Sequence, residues 1–361
     1  MQPEILIPKL VRACLDNNKQ LVEEISFMLV KVYKKHFPEI SKEISQSLTF
    51  SRNGVSALRS AEILPAPVDR ESRLTLGKLE EPIEIDPPIL TDRTFSSLID
   101  FLEEREKVET LVLEGIAPPN SMIFVGHPGV GKTYTARWVA YKLNLPLFTM
   151  DLASSISSYL GRSGQNLKEL FDYSRSTPSI LFLDELDAIA KRRDDASDLG
   201  ELKRLVNVLL KEMETWSSYS IIIAATNHPE LLDKAIWRRF DRIIEFEKPG
   251  TKERKKLVSQ SLGKYEDQFS SSSIDFFIKH ADRMSAADIC KTCTHIKRKA
   301  AMVPGLSDLI LIEKVCDGNY DTKQEKVDVC TMLKKSFPEL TIRDIAKITK
   351  ISFASVSRYL Q

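Results

Sequence analysis

Gly126-His127-Pro128-Gly129-Val130-Gly131-Lys132-Thr133 has the spacing GxxxxGK[ST]. Glycines let the backbone curl until its N–H groups face inward, where phosphate oxygens would sit. A helix starting directly after the loop adds a partial positive charge at the same place. Lys132 is set to reach the outer phosphates of a nucleoside triphosphate, and Thr133 to ligate Mg²⁺. Tyr134 completes the candidate nucleotide-binding stretch 126–134. Glycine is otherwise scarce, 13 in 361 residues, which makes the cluster at Gly126, Gly129 and Gly131 stand out.

A second constellation ends an apolar run. Ile180-Leu181-Phe182-Leu183 delivers Asp184 and Glu185. A strand would carry both carboxylates to its C-terminal edge, where open α/β sheets bind ligands. Asp184 would hold Mg²⁺, and Glu185 would act as general base on the attacking water. Asp187 reads as a helix cap. A third apolar run, Ile221 to Ala225, ends at Thr226-Asn227. The Asn227 amide either positions the lytic water or γ-phosphate, or starts a turn before His228-Pro229.

Positioning these groups requires strands that end together. Over 94–247 short apolar runs at 122–125, 147–150, 179–183, 220–225 and 243–246 alternate with helical periods. Such alternation implies a parallel sheet with helices on both faces, an α/β P-loop NTPase core. Residues 1–60 read as a helical N-terminal domain, with Leu21, Val22, Ile25, Met28, Leu29 and Val32 at helical spacing. Residues 61–93 carry five prolines and read as a linker, with a short strand such as Ile83-Glu84-Ile85. Residues 248–305 show only helical patterns. A small helical segment occupies 325–361.

Composition narrows the class. The 52 basic and 51 acidic residues nearly cancel, which excludes a chain that is basic or acidic throughout. No apolar run approaches the about 20 residues of a membrane helix, and the first residues lack a secretory pattern. Five scattered cysteines suit a reducing cytoplasm. Cys290 and Cys293 form a CxxC near His295. A zinc site would need a second ligand pair at short spacing, so buried thiols on a helix face are the expectation.

Together these residues resemble the AAA family within the AAA+ class of ATPases, over roughly 95–303. The stretch from Ala224 to Asp241 is similar to that family's second region of homology. The resemblance implies ATP and Mg²⁺ as ligands, with a helical lid at 248–305. It makes Asn227 the sensor residue and gives the adjacent pair Arg238 and Arg239 the role of arginine fingers. Fingers that reach a neighbour's site imply a homo-oligomer, by family resemblance a hexamer. Ser158 to Ser163 resembles the first pore loop, in which Tyr159, Leu160 and Gly161 would grip a polypeptide. Ser285-Ala286-Ala287-Asp288 sits where the family often has Ser-Gly-Ala-Asp. Lys191 to Asp195 is either an inter-subunit contact or a solvated charge run. Similar stand-alone bacterial or phage-type members include some encoded beside a protease, which makes a protease a partner by resemblance alone.

Leu340 to Leu360 reads as helix, tight turn, helix, with Thr341 and Ser352 as N-caps. It resembles the helix-turn-helix of transcription factors and recombinases, with Lys350 or a neighbour where glycine is usual. Residues 331–361 hold six basic and two acidic residues. The segment therefore either binds DNA or is a helical docking module for a protein partner or for the lid. Two functions follow: a ring ATPase that remodels or threads a protein substrate, or a DNA-associated regulatory AAA ATPase.

Overall fold

A computed structural model describes residues 3–16, 19–50, 77–152, 163–176, 179–191, 199–216, 220–302, 308–316 and 322–361. The chain divides into two compact units. One comprises Met1–Pro88, Asp92–Gly126 and Lys132–Phe246; the other comprises Ile89–Thr91, His127–Gly131 and Glu247–Gln361.

The first unit is built on a six-stranded sheet. Its strands are β1 (Lys78–Glu80), β2 (Ser121–Gly126), β3 (Leu147–Asp151), β4 (Ile180–Asp184), β5 (Ile221–Thr226) and β6 (Arg242–Phe246), in the spatial order β1-β3-β4-β5-β2-β6. All pairings are parallel except β1 with β3. The central strands are apolar almost throughout because both of their faces are covered. Every residue of β5 is buried. Helices Lys132–Leu143, Ser163–Ser176 and Leu199–Glu214 flank the sheet. Phe148, Leu167, Phe171, Leu183, Leu209 and Ile222 belong to the main core and are fully buried. Each such side chain is worth roughly 1.5–3 kcal/mol relative to exposure.

One local expectation differs from the structure. The edge strand forms at Lys78–Glu80, not at Ile83-Glu84-Ile85. Leu79 pairs with Phe148 and packs against the main core, whereas Ile83 is 74% exposed. Pro82, Pro87 and Pro88 bracket the alternating residues and withhold ladder donors. The first helical stretch of the 94–247 region is two helices, Asp92–Glu106 and Val108–Leu113, broken at Lys107.

Helices Pro3–Leu15, Lys19–His36 and Pro38–Phe50 form the N-terminal part. Leu21, Ile25, Met28 and Leu29 are buried, in one cluster with Val112. No helix among the described residues is long and apolar enough to cross a membrane.

The second unit is helical. Thr251–Leu262, Ser271–His280 and Ala286–Met302 enclose a core around Val258, Phe277, Ile289, Cys293 and Ile296. Burial pushes the Cys293 thiol up to about 12, so it is an inert packing group. The C-terminal helices Lys323–Ser336, Ile342–Thr349 and Phe353–Tyr359 share a second core with Phe276 and Ile312. The 325–361 segment is therefore continuous in packing with the helices before it.

Candidate active site

Three strand ends converge in the first unit. β2 ends at Gly126, β4 at Asp184 and β5 at Thr226. Glycine is required at 126 by space: a Cβ there would run into the carbonyl oxygen of Phe246 on β6. Lys132 opens the following helix and is only 7% exposed. Its Nζ donates to the Gly126 carbonyl at 2.6 Å and to Asn227 Oδ1 at 2.7 Å. Burial lowers the Lys132 pKa, and the charges of Asp184 and Asp187 partly oppose that. A partly desolvated ammonium held this way has high affinity for added negative charge.

Thr133 Oγ1 donates to Asp184 Oδ2 at 3.1 Å. Two hard oxygens at that separation suit Mg²⁺, which takes one or two protein oxygens and completes its shell with water and phosphate. Asp184 Oδ1 accepts the Glu185 N–H at 3.0 Å. Glu185 is exposed and has φ 54°, a left-handed conformation rare outside glycine. Such conformations cost about 1–3 kcal/mol and gather at functional sites. The Tyr134 hydroxyl donates to the Asp86 carbonyl at 2.9 Å. That bond ties the helix carrying Lys132 to the segment after β1.

The loop tip, His127–Gly131, belongs to the second unit. Gly129 has φ 78°, and its carbonyl accepts the Ala287 N–H at 2.9 Å. Ser285 and Asp288 cap that helix start. Ser285 Oγ donates to Asp288 Oδ2 at 2.7 Å, which holds the carboxyl below its ordinary pKa.

Arg238 and Arg239 follow the short helix Lys234–Trp237, whose N-cap Asp233 accepts from the Ala235 N–H. Both arginines are exposed. They differ in their partners: Arg239 is ion-paired with Glu214, and Arg238 has no ion pair among the described residues. Tyr159, Leu160, Gly161 and the run 192–195 lie outside the described residues.

A family model described as "ATPase family associated with various cellular activities (AAA)" matches residues 122–248. That match places an AAA-type ATPase domain over residues 122–248. The uncharacterized AAA family ATPase y4kL of Sinorhizobium fredii is 39% identical over 161 residues, covering 45% of this chain and 49% of that protein. A putative 26S proteasome regulatory subunit homolog of Methanothermobacter marburgensis is 37% identical over 186 residues, 49% of each chain. The matched stretch thus spans about half the length of these curated relatives. The crystal structure of the FIGL-1 AAA domain superposes with a TM-score of 0.56 at 19% identity, covering 77% of this chain and 99% of that one, a likeness of fold.

Two residues of the AAA domain have positions that spacing did not reveal. Asp187, expected as a helix cap, is 1% exposed, and its Oδ1 accepts from Thr226 Oγ1 and the Asn227 N–H, each at 3.1 Å. It fixes the end of β5, and so the Asn227 side chain that meets Lys132. Asp241 Oδ2 accepts from the N–H groups of Asn120 and Ser121, at 2.8 and 3.0 Å, and from Ser121 Oγ at 2.8 Å. It anchors the arginine turn to the start of β2. Both carboxylates act across 39 residues or more, where local pattern carries no signal. An acidic residue two positions after the arginine pair was the one visible hint.

Proposed function

We propose that the chain hydrolyses ATP with Mg²⁺ as an oligomeric ring and uses the cycle to remodel or thread a protein substrate. The observation carrying the hydrolytic part is the meeting of Lys132, Thr133, Asp184 and Asn227 at the ends of three strands. Loop 126–133 takes the phosphates. Thr133 and Asp184 would hold Mg²⁺, which when bound neutralises charge on the phosphate oxygens. Lys132 exchanges the Gly126 carbonyl and Asn227 Oδ1 for phosphate oxygens, leaving Asn227 beside the reacting phosphate. Glu185, facing solvent at the end of β4, accepts the proton of the attacking water.

The arginines belong to the neighbouring subunit's reaction. Phosphoryl transfer spreads charge over equatorial oxygens, and a guanidinium supplied from outside stabilises it. Arg238 is the reaching group, because Arg239 is engaged by Glu214. The protein substrate is suggested by the relative named as a proteasome regulatory subunit homolog and by the Tyr159-Leu160-Gly161 pattern. Hydrolysis is tested by Glu185→Gln, which should bind ATP and lose turnover by roughly 10²–10⁴-fold. Undiminished phosphate release from that variant would remove Glu185 from the reaction.

A further inference from the structure

The last three helices expose a surface that ATP chemistry does not use. Lys323–Ser336, Ile342–Thr349 and Phe353–Tyr359 enclose Cys330, Leu333, Ile345, Ile348 and Val356. The second and third are joined by a tight turn whose geometry is fixed. Lys350 takes a left-handed conformation at φ 57°. Ser352 caps the last helix by accepting from the Ser355 N–H, and Thr341 and Asp344 form a reciprocal capping box. Lys334 Nζ donates to the carbonyls of Pro338 and Leu340, each at 2.7 Å, holding the preceding connection. Two short helices across a tight turn, seated on a third helix, form the frame that presents a helix to a groove.

The fully exposed side chains on the last two helices are cationic or uncharged. Arg343 and Lys347 are four residues apart, on one helix face, and both are exposed, as is Arg358. Among the described residues these three make no ion pair. Asp344 offsets part of the Lys347 charge, while its carboxylate turns back onto the Thr341 N–H and hydroxyl at 3.0 and 2.6 Å. The last helix and its cap expose Ser352, Phe353, Ala354 and Arg358. A helix that docks in a protein groove carries an apolar stripe recurring every three or four residues. Here Phe353, 51% exposed, has no second large exposed apolar residue on its helix.

We propose that this face binds double-stranded DNA, with Arg343, Lys347 and Arg358 on phosphates and the helix Phe353–Tyr359 in the major groove. A helix with its side chains is about 10–12 Å across, which matches a major groove about 12 Å wide. Phe353 and Ala354 match the methyl of thymine, the apolar group that groove displays. The A-form major groove is too narrow for a helix, so duplex RNA is excluded as the ligand. The proposal stands apart from the ATPase reading, because none of these residues is in the hydrolytic site.

The test is fluorescence anisotropy of the full chain with a labelled random-sequence DNA duplex, titrated from about 50 to 200 mM salt. The wild type should bind and weaken steeply with salt. R343Q/K347Q/R358Q should reduce the slope of log K against log salt by about 0.9 per lost phosphate contact, and leave ATP turnover unchanged. The charge-keeping variant R343K/R358K should retain the slope, which separates lost charge from lost folding. Absence of duplex binding at low salt would overturn the proposal and leave the face to a protein partner. An unchanged slope in the triple variant, loss of binding in the charge-keeping variant, or equal competition by duplex RNA would overturn it as well.

Discussion

Lys132 and Asn227 define the chemistry at the scale of single residues. A buried ammonium held by two oxygens at hydrogen-bond distance is preformed for phosphate, and the amide that holds it is itself held by Asp187. Asp187 is thus a positioning residue whose loss has two readable effects. Asp187→Ala leaves the Thr226 hydroxyl and the Asn227 N–H short of a buried partner, at a cost of about 1–3 kcal/mol for each group left unsatisfied. Thermal unfolding should fall by several degrees, and turnover should fall with ATP affinity less affected. An unchanged melting temperature would remove the clamp from the account. The candidate loop 126–133 and Asp184-Glu185 could be picked out in sequence because their spacing is local and each follows an apolar run. Asp187 was not, because its partners lie 39 and 40 residues away on another strand.

At the scale of elements, the arginine turn is the part that most needs anchoring. It leaves the short helix Lys234–Trp237 and enters β6, the edge strand beside β2. Asp241 holds it through three donors at the start of β2, and Glu214 at the end of its helix holds Arg239. An exposed ion pair contributes little to stability, at most about 1 kcal/mol. Its effect is to commit one guanidinium and leave the other available. Arg238→Ala should therefore lower turnover by roughly 10³-fold or more, whereas Glu214→Ala should change it far less. Steady-state ATPase assays of both variants, with melting curves as control, decide this; equal losses would refute the division. The five parallel strands were legible from short, mostly apolar runs. The antiparallel edge was not, since Lys78-Leu79-Glu80 is too short for a period. It is a strand because the open edge at Leu147–Thr149 pairs with it, a tertiary cause that overrides the alternation of Ile83-Glu84-Ile85.

At the scale of the whole molecule, one chain holds the phosphate loop and the carboxylates, while its exposed arginine is read as serving another copy. Near-zero net charge, +1 by formal count, conceals a cationic C-terminal segment balanced elsewhere. The helical character of that segment was legible from its caps and spacing. Its continuity of packing with Phe276 and Ile312 was not, because a contact between distant helices leaves no local pattern. The central claim is that ATP is hydrolysed on 126–133, Asp184 and Glu185 with an arginine from a neighbour. Its most direct test mixes two inactive variants, Lys132→Ala and Arg238→Ala/Arg239→Ala, and measures ATP turnover across mixing ratios. An arginine-deficient subunit keeps its own phosphate loop and gains a guanidinium from a Lys132→Ala neighbour, so activity should return in the mixture. Turnover that stays at the level of the separate variants at every ratio would contradict a site shared between subunits.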